Sequence, residues 1–284
     1  MPNSSSEHSF THTAFLSPRA ELERPVCRLG LATRGNTGLT PDDVGHAVES
    51  GVNFLNWCGS PDGLSGFIAG LGQRRPEIAV CVQFEARTAT DGRDEFEHIL
   101  RQLHTDYLDV LTFYYVEERA EWEQIIGPGG ALEFCTVAQR EGRVRMIGVT
   151  SHQRRLAAEM ADSGLLDMLM IRYNAAHRGA ETEVFPVTTA RGLPVVVYTC
   201  LRWGALLRPT PDDPPGFIVP PAPAWYRFAV QHPAVAVALM APENRAELEE
   251  DLRGLREMRP LSAEEYERLA GHGQRVRRHA GSFP

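Results

Sequence analysis

Short runs rich in Val, Ile and Leu alternate along this chain with longer stretches whose apolar positions recur at helical spacing. The strand-then-helix unit repeats about eight times, which predicts a single-domain α/β fold, a (β/α)8 TIM barrel, with its chemistry where the strands end. The stretch from Gly51 to Cys58 is the plainest case, an apolar run that opens into Gly, Ser, Pro and Asp and so reads as a buried strand ending at Asn56. The same pattern predicts strands over 27–33, 77–84, 107–115, 145–150, 167–173, 194–198 and 234–239. Thr40 and Pro41 announce the first helix as N-cap and first helical residue. Further helices are expected over 62–71, 93–103, 130–141, 225–231 and 245–258, with one beginning at Ser151 and His152. A closing helix over 262–279 starts on the Ser262/Glu265 capping box. An acidic loop is expected over 116–128, and crowded prolines predict an irregular loop over the mouth at 208–223. Residues 1–25 show little periodicity and read as a mobile tail, which leaves 26–284 for the barrel.

Composition narrows the function. A chain of 284 residues with 43% hydrophobic content can bury one large core, and its formal charge of -8 argues against nucleic-acid or anionic-membrane partners. No run approaches the ~20 apolar residues of a membrane span and the first residues lack a leader-like apolar core, so the expected place is the cytoplasm. The five cysteines have neither disulfide nor zinc spacing and read as reduced thiols, so no metal is expected. Gly127-Pro128-Gly129-Gly130 lacks the Lys-Ser/Thr of a phosphate loop and reads as a turn. All 29 basic residues are arginine. Without lysine, neither a Schiff base nor a lysine-assisted proton donor is available.

Three segments, in order, resemble the aldo-keto reductases: Gly51-Val52-Asn53-Phe54, the run from Gly142 to Ser151, and His232-Pro233-Ala234-Val235 followed by Glu247-Leu248-Glu249-Glu250. The likeness extends over 29–255 and implies a barrel of that family's type. It also implies a catalytic Asp/Tyr/Lys/His tetrad, in which the tyrosine gives a proton to a carbonyl that takes hydride from NADPH. Carried over residue by residue, the aspartate falls on Asn56, the tyrosine on or near Pro61, the lysine on Gln83 and the histidine on Tyr114. Asn56 and Gln83 keep hydrogen-bonding shape without charge and cannot lower a phenol's pKa of about 10. At the nicotinamide end, the resemblance puts Thr150 and Ser151 where a Ser-Asn pair holds the amide, Met170 where a glutamine stands, and Tyr198 where the ring stacks. After the eighth strand, Glu243 and Glu247 would repel a 2'-phosphate, with Arg245 the compensating cation.

Other polar residues near strand ends are Thr33, Arg34, Cys58, Glu85, Tyr115, Glu117, His152, Arg172, Asn174, His177, Cys200 and Arg202. Neutral amides beside Arg34, Arg172 and Arg202 suggest a small anionic or carboxylate-bearing ligand. Plainer readings stand beside this one. Arg172 could pair with a structural carboxylate, His152 could cap a helix or lie on the surface, and Tyr114 could fill the space a histidine left. Cys58 and Cys81 fit small core positions, and Glu117 and Glu118 fit solvated loop charges. Three functions follow, in this order: a non-redox dehydratase, isomerase or cyclase without cofactor; an atypical oxidoreductase using NADH or NADPH; and a non-catalytic ligand- or partner-binding barrel. Its candidate catalytic residues are Asn56, Gln83, Tyr114, His152 and Arg172.

Overall fold

In the computed structural model, which describes residues 10–33, 37–279 and 281, the apolar runs become eight parallel strands closed into one barrel. They are β1 (Leu29–Thr33), β2 (Phe54–Trp57), β3 (Ala79–Phe84), β4 (Leu108–Phe113), β5 (Val144–Ser151), β6 (Met168–Arg172), β7 (Val195–Tyr198) and β8 (Val235–Met240). Strand β8 pairs with both β7 and β1, which closes the ring. Outside it run α1 (Pro41–Glu49), α2 (Gly63–Ala69), α3 (Ala89–Gln102), α4 (Arg119–Ile126), α5 (Ala131–Arg140) and α6 (Arg154–Asp162). The ring of helices continues with α7 (Ala180–Glu183), α8 (Phe185–Arg191), α9 (Ala222–Gln231), α10 (Arg245–Arg256) and α11 (Ala263–His279). This is the single-domain barrel that the alternation predicts.

Residues alternate between lumen and helix layer along each strand. Phe54, Cys81, Val110, Met146, Met168, Val196 and Val237 belong to one apolar cluster, while Leu55, Val80, Val82 and Leu111 belong to the larger core shared with the helices. The lumen cluster also takes Phe15 and Leu22, from the segment between two short strands, His12–Thr13 and Val26–Cys27. Phe15 meets Phe54 with ring centres 5.5 Å apart. Of the segment read as a tail, residues 1–9 lie outside those described, while Phe15 and Leu22 are buried. Cys27 pairs with His12, so β1 begins two residues later than the apolar run.

Side-chain caps set several helix starts. Thr40 and Asp43 form a reciprocal capping box, Asp62 and Ser65 another, and the Ser262/Glu265 pair bonds as its spacing predicts. Two loop expectations need correction. The acidic stretch 116–128 contains α4, whose start is a Glu118/Glu121 box, a glutamate pair that the usual Ser, Thr, Asp or Asn signal does not reveal. No helix begins at Ser151 or His152, because the Val116 N–H bonds the Thr150 carbonyl and carries β5 on to Ser151. Buried Asp109 and Asp167 lie near strand starts, away from the mouth. Asp109 is held by Arg75 and Arg145, and Asp167 takes the Ile147 N–H and the Gln139 amide, so both serve stability.

Candidate active site

At the upper ends of the strands the lumen turns from apolar to polar without becoming charged. Gln83 donates to Asn56 Oδ1 at 2.9 Å and to Met170 Sδ at 3.5 Å, while Thr150 Oγ1 donates to Gln83 Oε1 at 3.1 Å. The registers Asn56 with Cys81 and Thr150 with Met170 bring these groups to one level. All four residues are buried. Asn56 and Gln83, onto which the resemblance carries the family's aspartate and lysine, therefore form a closed amide pair. Between β2 and α2, the Trp57 indole N–H donates to the Ser60 carbonyl and Asp62 caps α2. Pro61 lies exposed on that short turn, and no tyrosine stands there.

A second cluster lies beside this floor. Tyr114 stacks on Tyr115 at 4.0 Å, Tyr115 contacts the His152 ring at 4.3 Å, and His152 meets Tyr198 edge-on at 5.7 Å. Tyr115 reaches the stack through a left-handed backbone, φ 42°, a conformation costly for a residue with a Cβ and found most often at functional sites. Glu117 anchors the group, accepting from the His152 backbone N–H at 2.7 Å and lying 3.2 Å from His152 Nδ1. Burial works to raise the Glu117 carboxyl's pKa, but the hydrogen bonds from His152 outweigh it and hold the group below the ordinary carboxylate value. Tyr198 donates to the Ser151 carbonyl at 3.2 Å, and burial keeps its phenol protonated.

Cations gather on the neighbouring loops. Arg172 ends β6 opposite Tyr198, and burial lowers its pKa. Asn174 accepts the backbone N–H groups of Ala176 and His177, which turns the chain so that His177 faces the same region. Burial, then the charges of Arg202 and Arg172, push His177 down to about 4, so it is neutral at pH 7. Arg202, itself buried, donates to the Gly281 carbonyl at 2.7 Å. Arg34 lies outside the described residues. At the start of α10, Asn244 caps the helix and Arg245 is held by Asp43 at 3.0 Å and Glu249 at 2.9 Å, with Glu243 and Glu247 exposed beside it.

The aldo/keto reductase family profile matches residues 42–217, well over half of the chain and the stretch from α1 through β7 that supplies most of this mouth. The chain belongs to the aldo/keto reductase family. It is 25% identical over 218 residues to an uncharacterized oxidoreductase of Bacillus subtilis, a match covering 64% of each protein and so just under two thirds of that relative's length. It is 26% identical over 114 residues to the NADH-specific methylglyoxal reductase of Escherichia coli, covering 40% of this chain and 34% of that one. Among solved structures, an aldo-keto reductase from Bacillus halodurans in its holo form superposes with a TM-score of 0.71 at 18% identity, covering 92% of this chain and 96% of that one. One from Klebsiella pneumoniae in complex with NADPH gives 0.70 at 18% identity, covering 91% and 95%.

The family match and the reductase-named relatives overturn the non-redox reading that ranks first from the sequence, and they favour its oxidoreductase alternative. The expectation of no cofactor also has no support among structures described with NADPH or with NADP. Absence of charge at Asn56 and Gln83 does not exclude redox chemistry, because a nicotinamide cofactor, where bound, supplies the hydride. Asn56 and Gln83 are neutral amides, and Tyr198 stands at the mouth end of β7. Of the two readings the sequence offers for Glu117, a mouth residue or a solvated loop charge, the structure favours the first, since the residue is half-buried and ties β4's exit to His152. Its sequence signal is its place just past the end of the apolar run 107–115. Among the described residues, no helix is long and apolar enough to cross a membrane and no group of three His, Cys, Asp or Glu side chains could hold a metal ion.

Proposed function

We propose that this chain is an NADH-preferring oxidoreductase that reduces the carbonyl group of a small, carboxylate-bearing metabolite. The observation that carries the reading is Tyr198 at the mouth end of β7, fixed through its hydroxyl to the Ser151 carbonyl where the family's tyrosine stacks on a nicotinamide ring. Bound there, the cofactor supplies hydride to the carbonyl carbon. The chain's own residues orient and exclude. Thr150, Ser151, Met170 and Tyr198 line the nicotinamide end, and the Asn56–Gln83 pair forms a dry, uncharged floor beneath it. Arg172 and Arg202 supply the field that attracts a carboxylate, with neutral His177 between them as a hydrogen-bonding group.

The preference for NADH rests on the adenosine end. Arg245, the cation there among the described residues, is already shared by Asp43 and Glu249, and Glu243 and Glu247 add negative charge where a 2'-phosphate would come. The Escherichia coli relative, named as NADH-specific, supports the same choice. Calorimetric titration of nucleotide-free protein tests both points. Micromolar NADH binding with weaker NADPH binding is expected, followed by faster turnover of small 2-oxo acids than of uncharged aldehydes. Failure of both nucleotides to bind at millimolar concentration overturns the reading.

A further inference from the structure

With the Asp, Tyr, Lys and His of the tetrad replaced, the reductase reading lacks a proton donor. Tyr114 is a poor replacement, because it is stacked on Tyr115 and the chain has no lysine to activate a phenol as the family's lysine does. One titratable pair at the mouth has the right chemistry. His152 lies between β5 and α6, at the rim beside Tyr198, and its Nδ1 is 3.2 Å from Glu117 Oε1. The same carboxylate oxygen takes the His152 backbone N–H at 2.7 Å, and the Gln153 amide donates to the other oxygen at 3.2 Å. Glu117 is itself fixed, since its backbone N–H and that of Glu118 donate to Glu121 Oε2. The ring therefore has little freedom: one nitrogen is tied to Glu117, one face is against Tyr115, and its contact with Tyr198 is edge-on.

We propose that His152, oriented by Glu117, is the proton donor of this enzyme, in place of the family's tyrosine. The assignment rests on the nicotinamide reading above. In the reduction, the His152 Nε2–H bond breaks and an O–H bond forms on the substrate oxygen as the carbonyl carbon takes hydride. The carbonyl is reduced to an alcohol, the nicotinamide is oxidised, and a solvent proton restores the imidazolium. Glu117 is a positioning residue: paired to Nδ1, it fixes the ring and leaves Nε2 for the substrate. The other groups around the ring are the phenols of Tyr115 and Tyr198, with Arg172 on β6 near both Tyr198 and Glu117.

Two readouts test this, and one needs no turnover. Diethyl pyrocarbonate labelling of His152, followed by peptide mass spectrometry, should slow at least about tenfold under saturating NADH, while exposed His98 on α3 labels equally with and without it. NADH binding by fluorescence with unchanged labelling of His152 overturns the donor assignment and leaves the reductase reading standing. Absence of binding by either nucleotide removes both. In the second readout, methylglyoxal and pyruvate serve as probe substrates. Wild-type kcat should fall on an alkaline limb, and His152→Gln should lose about 100-fold along with that limb, within the range of general-acid contributions. Glu117→Gln should move the limb to lower pH, since it removes the charge that favours the imidazolium, a shift that a merely structural role would not produce. If His152→Gln keeps the limb and Tyr114→Phe abolishes it, Tyr114 is the donor and the proposal falls.

Discussion

Gln83 is the hub of the mouth floor, and replacing it by leucine puts a number on how closed that floor is. Leucine has nearly the same reach but removes the donor to Asn56 Oδ1 at 2.9 Å, the acceptor for Thr150 Oγ1 at 3.1 Å and the weak contact with Met170 at 3.5 Å. Exposures of 6% for Gln83, 3% for Asn56 and 2% for Thr150 leave little room for water to take over. A buried polar group stranded in this way costs about 1–3 kcal/mol, and two are stranded here. The added apolar burial of leucine returns about 1 kcal/mol. Gln83→Leu should therefore lose about 1–5 kcal/mol in equilibrium urea unfolding, with an unchanged m-value and coincident circular dichroism and tryptophan fluorescence transitions. The double variant Asn56→Leu/Gln83→Leu should lose less than the sum of the two single variants, with a coupling of about 1–2 kcal/mol. A Gln83→Leu protein within about 0.5 kcal/mol of wild type, or strictly additive losses, would refute the closed amide pair.

Three further outcomes follow from particular contacts. Glu243→Gln/Glu247→Gln removes two like charges from the start of α10, where the proposed nucleotide would place its adenosine, and should improve NADPH affinity about fivefold or more with little change for NADH; equal gains for both nucleotides in fluorescence titrations would sink the charge argument. Asp251, buried on α10 and hydrogen-bonded to Tyr226, has its pKa raised by burial to about 8. The folded state thus holds a proton that the unfolded chain releases near pH ~4, so this group's contribution to stability falls as pH rises from about 4 to 8. Asp251→Asn should raise the melting temperature relative to wild type more at pH 8 than at pH 5 in calorimetry, and an equal change at both would contradict the raised value. On α11, a Cβ at Gly273 would lie 2.3 Å from the Ala175 carbonyl oxygen on the loop after β6. Gly273→Ala should lower the melting temperature, although helix propensity alone predicts a gain of about 1 kcal/mol, and a rise would mean that α11 is not seated there.

The barrel was legible in the sequence because its determinants are local. Eight apolar runs, helical spacing between them, and caps such as Thr40 with Asp43 and Ser262 with Glu265 depend on residues a few positions apart. The absence of lysine likewise excluded a lysine-assisted acid before any geometry was known. Loop 116–128 was the exception, because the Glu118/Glu121 box that starts α4 uses glutamate where other residues usually serve.

The mouth is a different kind of object, since its partners come from strands far apart in the chain. Asn56, Gln83 and Thr150 each lay at or next to the end of a predicted strand, but only ring closure decided that Asn56 and Thr150 both bond Gln83, through the parallel registers of β2 to β6. In the same way, Glu117 and His152 are 35 residues apart, and the bond from Val116 to the Thr150 carbonyl is what aligns them. The residue types and the strand ends followed from hydrophobic periodicity, a property of neighbouring positions. Which of those ends share a hydrogen bond, and so which chemistry the mouth can do, follows from closure of the barrel.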